Sequence, residues 1–155
     1  MSKANTLMNL LNSLSPDQQQ FLALPVGNHP LYPKQTDYFK DMQAKMTMGN
    51  AYFESNIPIA FVGEYLADSV NPYIKKRGFL ITDKHIFIQS KQLPSSFVFQ
   101  LDKTVSPQLV VQMVWEAFEQ SVYPEMPKEE LIAIQNIFSR VITLVLPAIQ
   151  AKMSV

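Results

Sequence analysis

Two histidines, a thin scatter of carboxylates and one short basic run are the groups from which this chain could assemble chemistry. His29 falls in a proline-rich loop and His85 at a strand start, beside a turn where it is expected to be solvated. Neither has a second histidine or a carboxylate at the spacing that puts two ligands on one helix face, and a zinc site needs three or four ligands. No metal site is therefore expected. The four glycines, Gly27, Gly49, Gly63 and Gly78, are too dispersed to cradle a phosphate or build a dinucleotide fingerprint, so no cofactor is expected. No Gly-x-Ser-x-Gly elbow is present, and with no cysteine there is no thiolate nucleophile, thiolate metal site or disulfide.

The carboxylates divide the same way. Glu116 and Glu119 lie one turn apart on a helical stretch, and Glu129 and Glu130 open another, where they suit the positive end of the helix. A site assembled in space from Glu54, Glu64 or Asp68 with a tyrosine would leave no trace in spacing. The basic run is Lys75-Lys76-Arg77, with Lys84 and Lys91 nearby. Residues 59–101 hold five basic and three acidic side chains, and residues 102–155 hold four basic and six acidic. Lys75, Lys76, Arg77 and Lys84 could form a small anion or acidic-partner site at a sheet edge. Alternatively they are solvated lysines that keep that edge from pairing. Glu116 and Glu119 could in turn face a basic partner, or be a solvated face.

The elements that would position these groups come in three parts of a single domain, 1–155. Residues 1–57 read as helical: Leu7, Leu10, Leu11 and Leu14 have helical spacing, and Ser15-Pro16-Asp17-Gln18 reads as a second helix start. A loop over Pro25–Pro33 and a helix from Thr36 to about Met48 follow. Residues 58–101 change to a two-residue period. Ile59, Phe61 and Tyr65 alternate with Ala60, Val62 and Glu64, and Gly63 is a candidate bulge. Residues 78–82 and 85–89 flank Asp83-Lys84 as a tight hairpin, and Phe97, Phe99 and Leu101 mark a later strand, so an antiparallel meander is expected. Residues 102–155 are helical again. Ser106-Pro107 caps one helix, and another runs from about Lys128 to Lys152 with its polar residues Gln135, Asn136, Ser139, Arg140 and Thr143 confined to one narrow stripe. The fold class is thus α+β: an antiparallel sheet flanked by N-terminal helices and two C-terminal helices.

Length and composition bound the function. At 155 residues and 47% hydrophobic, the chain can bury a sizeable core. Its formal charge of zero gives no broad field for nucleic acid or anionic membrane. The absence of a signal-like start, of cysteine and of a transmembrane segment leads to an expected cytoplasmic location. The final helix is apolar enough to be buried centrally or shared with a second copy in a homodimer; Val141→Glu would then unfold the chain or give a folded monomer.

Residues 76–88, Lys-Arg-Gly-Phe-Leu-Ile-Thr-Asp-Lys-His-Ile-Phe-Ile, resemble the bacterial pleckstrin-homology-like and GRAM-like domains, in which an apolar strand, Thr-Asp-Lys-Arg and another apolar strand recur. His85 stands where arginine is common, and the similarity extends loosely over 58–122. The sequence departs from that pattern in having fewer strands, helical first 57 residues and a long final helix. The resemblance implies a ligand- or protein-binding module. In type the chain is also similar to bacterial immunity proteins, which are compact and cytoplasmic and bind a cognate toxin to block its site. A non-catalytic protein-binding module is the resulting expectation. The alternatives are a small-molecule or lipid-binding domain, with Phe61, Tyr65, Phe79, Phe87, Phe97 and Phe99 lining a pocket, and an enzyme whose site is not recognisable in sequence.

Overall fold

The computed structural model describes residues 3–19, 21–24, 56–64, 77–89, 97–122 and 127–153. The helix expected over 36–48, the loop over 25–33, and Lys75, Lys76, Lys91, His29, Glu54, Tyr65 and Asp68 lie outside these residues.

Periodicity sets the elements. The leucine repeat forms α1 (Lys3–Ser13), and the capping signal at Ser15 opens the one-turn α2 (Pro16–Gln19), where Ser15 O accepts from Gln18 N and Gln19 N at 2.9 and 3.0 Å. The alternating stretch forms β2 (Pro58–Glu64), β3 (Arg77–Thr82), β4 (His85–Gln89) and β5 (Phe97–Gln100), following the two-residue β1 (Leu22–Ala23). Neighbours in the sheet follow chain order, β1-β2-β3-β4-β5, and every pairing is antiparallel. The chain is therefore α+β, with the expected meander and the expected Asp83–Lys84 hairpin turn. Among the described residues, two further helices follow: α3 (Pro107–Val122) and α4 (Lys128–Ala151).

Three details depart from the sequence expectations. First, the N-terminal part is not purely helical. Leu22 and Ala23 pair with Val62 and Phe61, and Gly63 N donates to Phe21 O at 2.9 Å. Two paired residues are too few to carry a period. Second, the β2 irregularity falls between Pro58 and Ala60 rather than at Gly63. It lets Ile59 join Ala60 and Val62 in one core, out of strict alternation, as a bulge does. Third, Gly63 serves close approach instead. It faces Gly78, and a Cβ on Gly78 would lie 2.3 Å from Val62 O and 2.7 Å from Gly63 Cα. With φ at 147° and 157°, both positions also favour glycine.

The core lies between one face of the sheet and the helices. Phe79 stacks on Phe138 of α4 with centroids 4.2 Å apart and touches Phe118 and Trp115 of α3 at 4.6 and 5.9 Å. Nine residues of α4 are buried, Val141 among them with no exposure. The other sheet face carries the cross-strand row Phe61, Leu80 and Phe87, also without exposure. Of the aromatics expected either to line a pocket or to form core, Phe79 lies in this core, Phe99 packs against it partly buried, and Phe61 and Phe87 are buried on the other sheet face; Tyr65 and the Phe97 side chain lie outside the described residues. By length and composition alone, with a mean hydropathy of 1.7, α4 could cross a membrane, but here its apolar face is the floor of this core.

Helix ends are fixed by the expected groups and one unexpected one. Ser106 Oγ accepts from Leu109 N at 3.1 Å, capping α3 behind Pro107. Asp102 Oδ1 accepts from Thr104 N, Thr104 Oγ1 and Val105 N, ordering the link from β5 to α3. Gln150 Nε2 of α4 donates to Val105 O at 2.7 Å and Asp102 O at 3.1 Å. The end of α4 is thus clamped beside the start of α3, and the two helices run antiparallel. With Val141 inside this core, Val141→Glu is expected to unfold the chain, at a cost on the order of 4 kcal/mol or more for an unpaired buried charge. Exposed Asn136→Glu on the same helix should stay within about 0.5 kcal/mol. Urea unfolding followed by the fluorescence of Trp115, the chain's one tryptophan, checks both.

Candidate functional site

Two places bring polar side chains together. The first is the turn end of the β3–β4 hairpin. Thr82 is the last residue of β3 and His85 the first of β4, and the two-residue turn leaves the Thr82 hydroxyl facing the backbone that reverses there. Thr82 Oγ1 accepts from His85 N at 2.9 Å and Lys84 N at 3.2 Å. It lies 2.6 Å from Asn56 Oδ1 and 3.0 Å from His85 O, and its one proton goes to the nearer oxygen, that of Asn56. Asn56 Oδ1 also lies 2.8 Å from His85 Nδ1, so in this amide orientation His85 carries a proton on Nδ1. Alongside, Ile57 N donates to Asp83 Oδ1 at 2.8 Å and Asp83 N to Ile57 O at 3.1 Å. The segment before β2 is thereby tied to the turn.

All three side chains of this cluster are buried. His85 is not solvated as its place beside a turn suggested, because Asn56, 29 residues earlier, closes over it, and its ring stands 5.9 Å from Phe87. Burial and the neighbouring Lys84 ammonium hold its pKa below the ordinary 6.5, against a smaller opposing pull from Asp83. Such a cluster can lock a hairpin to the strand beside it. Among the described residues, the buried Asn56 Nδ2 has no partner.

The second place is the outer surface of the helices. α4 turns nine residues inward, so what remains outward is the polar stripe. Ser139 and Thr143 form a ridge with a groove on each side. One groove, about 470 Å³, lies between α3 and α4, and it is lined by Gln108, Gln112 and Glu116 on one wall and Gln135, Ser139 and Thr143 on the other. Val111 and the nearly buried Trp115 form its floor. The other groove, about 450 Å³, lies between α1 and α4, with Asn9, Leu10 and Ser13 facing Arg140 and Leu144. Exposed Leu144 borders this groove, and Leu109, Met113 and Ile132 are exposed elsewhere on α3 and α4.

The charged residues singled out in the sequence are distributed unevenly over these places. Arg77 opens β3 and Lys84 lies beyond its far end, more than about 15 Å apart along the strand. Lys75 and Lys76, and the side chain of Arg77, are outside what the structure describes. Glu116 and Glu119 are both exposed on α3. Glu116 lines the α3–α4 groove, whereas Glu119 accepts the Trp115 indole N–H at 3.1 Å. Sequence reasoning missed Asn56 and Thr82, which are joined only by a contact across 26 residues, and it missed the Gln108–Gln112–Glu116 row, whose i, i+4, i+8 spacing was the available signal. Among the described residues, no group of three or more histidines and carboxylates could hold a metal ion.

The cluster has a pH signature. Because folding lowers the pKa of His85, the folded chain binds fewer protons than the unfolded one, so stability should be full above 6.5 and fall as pH drops from 6.5 toward the folded value. Thermal midpoints measured between pH 7.5 and 5.5 should show this decline, and His85→Gln should flatten it; an unchanged slope would mean that His85 does not carry it. Comparison with protein-family models, with curated proteins and with solved structures finds no match for this chain.

Proposed function

We propose that this chain is a non-catalytic protein-binding module that docks a partner on the outer face of its helices, acting as a bacterial immunity protein does when it occludes a toxin. The observation that carries this is the pair of grooves flanking the Ser139–Thr143 ridge. They are adjoining and open, with mixed polar and apolar borders, the form of a surface that fits another protein rather than of a pocket that encloses a small molecule. Two further observations support it. The buried polar cluster at the hairpin is spent on holding β3, β4 and Asn56 together. Phe79, one of the sheet aromatics that a lipid- or small-molecule-binding domain would use as lining, is packed into the core against Phe118 and Phe138.

Exposed Thr143 borders both grooves, so a bulky ring there would obstruct docking while leaving the core intact. Tagged wild type, Thr143→Trp and the exposed control Lys103→Ala are compared by quantitative capture from lysate of the source cells, after matching their thermal midpoints. Wild type and Lys103→Ala should each retain one stoichiometric protein, and Thr143→Trp should lose it. Absence of any stoichiometric protein, or equal capture by all three, would contradict docking on this face.

A further inference from the structure

The α3–α4 groove has a regular chemistry. Gln108, Gln112 and Glu116 repeat every four residues along α3, and Gln135, Ser139 and Thr143 do the same along α4. Four residues are slightly more than one helical turn, so each set forms a row. Each row rises about 12 Å over its eight residues. Since the helices are antiparallel, the Glu116 end of one row lies toward the Gln135 end of the other.

Three features narrow what could lie between these rows. Among the described residues, no side-chain hydrogen bond engages Gln108, Gln112, Glu116 or Gln135. Their donors and acceptors face the groove uncommitted. A primary amide offers both a donor and an acceptor, which suits a chain segment whose own N–H and C=O groups alternate and are unpaired. An extended peptide meets that description. A helix does not, because its backbone groups are bonded internally and it docks through an apolar face. At about 3.3 Å per residue, the 12 Å rows match three to four residues of extended chain. Finally, Glu116 is the one charged side chain among the described lining residues; Arg140 lies across the ridge and borders the other groove.

We propose that the α3–α4 groove binds a short extended segment of a partner protein, its backbone held by the glutamine amides, the Ser139 hydroxyl and the Thr143 oxygen, which accepts because its proton goes to Ser139 O, and a lysine or arginine side chain paired with Glu116. This names the partner chemistry of the face proposed above, and rests on that role.

The test uses the full chain, fluorescently labelled, on an array of immobilised N-acetylated hexapeptides. Flanking positions are randomised and one central position is fixed as arginine, lysine, leucine or glutamate. The arginine and lysine sets should retain about fivefold more protein than the leucine and glutamate sets, the upper range for a solvent-exposed ion pair. Glu116→Gln, a substitution at an exposed position, should remove that preference while leaving the thermal midpoint unchanged. The inference is overturned if no set retains the protein, if the leucine or glutamate set matches the basic ones, or if the preference survives Glu116→Gln. A silent array together with partner capture that Thr143→Trp still abolishes removes the segment and leaves the binding face standing. Loss of capture as well removes both.

Discussion

The structure depends on burying the apolar side of α4. A helix of 24 residues with nine buried side chains needs a broad apolar surface beneath it, and the antiparallel sheet supplies one through Ala60, Val62, Phe79, Ile81, Ile86 and Ile88. The aromatic contact of Phe79 with Phe138 and Phe118 lies where sheet, α3 and α4 meet. Everything at the surface follows from that contact. With nine apolar side chains of α4 turned inward, its outward side carries the polar stripe of Gln135, Asn136, Ser139, Arg140 and Thr143 together with the exposed Ile132 and Leu144, and α3 and α1 pack to either side of it. The small residues Ser139 and Thr143 leave the space that becomes the two grooves.

The hairpin cluster serves the same end from the other direction. A two-residue turn leaves backbone N–H groups unpaired, and Thr82 accepts two of them while giving its own proton to Asn56. Asn56 in turn engages His85, and Asp83 pairs with Ile57. Leu101 N bonds Lys84 O, passing the register of the hairpin to the end of β5, from which Asp102 and Gln150 fix the start of α3 and the end of α4. The polar cluster and the groove are thus at two ends of one structural chain, with the first supporting the geometry of the second.

Much of this was legible in the sequence, for a physical reason. Long elements repeat their period often enough to be read, as in the leucines of α1, the hairpin about Asp83-Lys84 and the stripe on α4. Proline and serine at the helix starts punctuate them. What was not legible depends on contacts between distant residues. Leu22–Ala23 is a strand only because Val62 and Phe61 pair with it. His85 is buried beside Asn56, which lies 29 residues earlier in the chain. The groove exists only because two rows on separate helices face each other. Glu116 and Glu119 illustrate the limit: they are alike by spacing and exposure, yet one borders the groove and the other is bonded to Trp115.

We propose that the helical face meets a partner and that the hairpin cluster holds the fold. Hydrogen–deuterium exchange on the captured complex, compared with the free chain, tests it most directly. Slowed exchange on binding should concentrate in residues 108–116 and 135–143, while residues 82–85 exchange alike in both states. Protection confined to the β3–β4 hairpin, with the two helices unchanged, would contradict it.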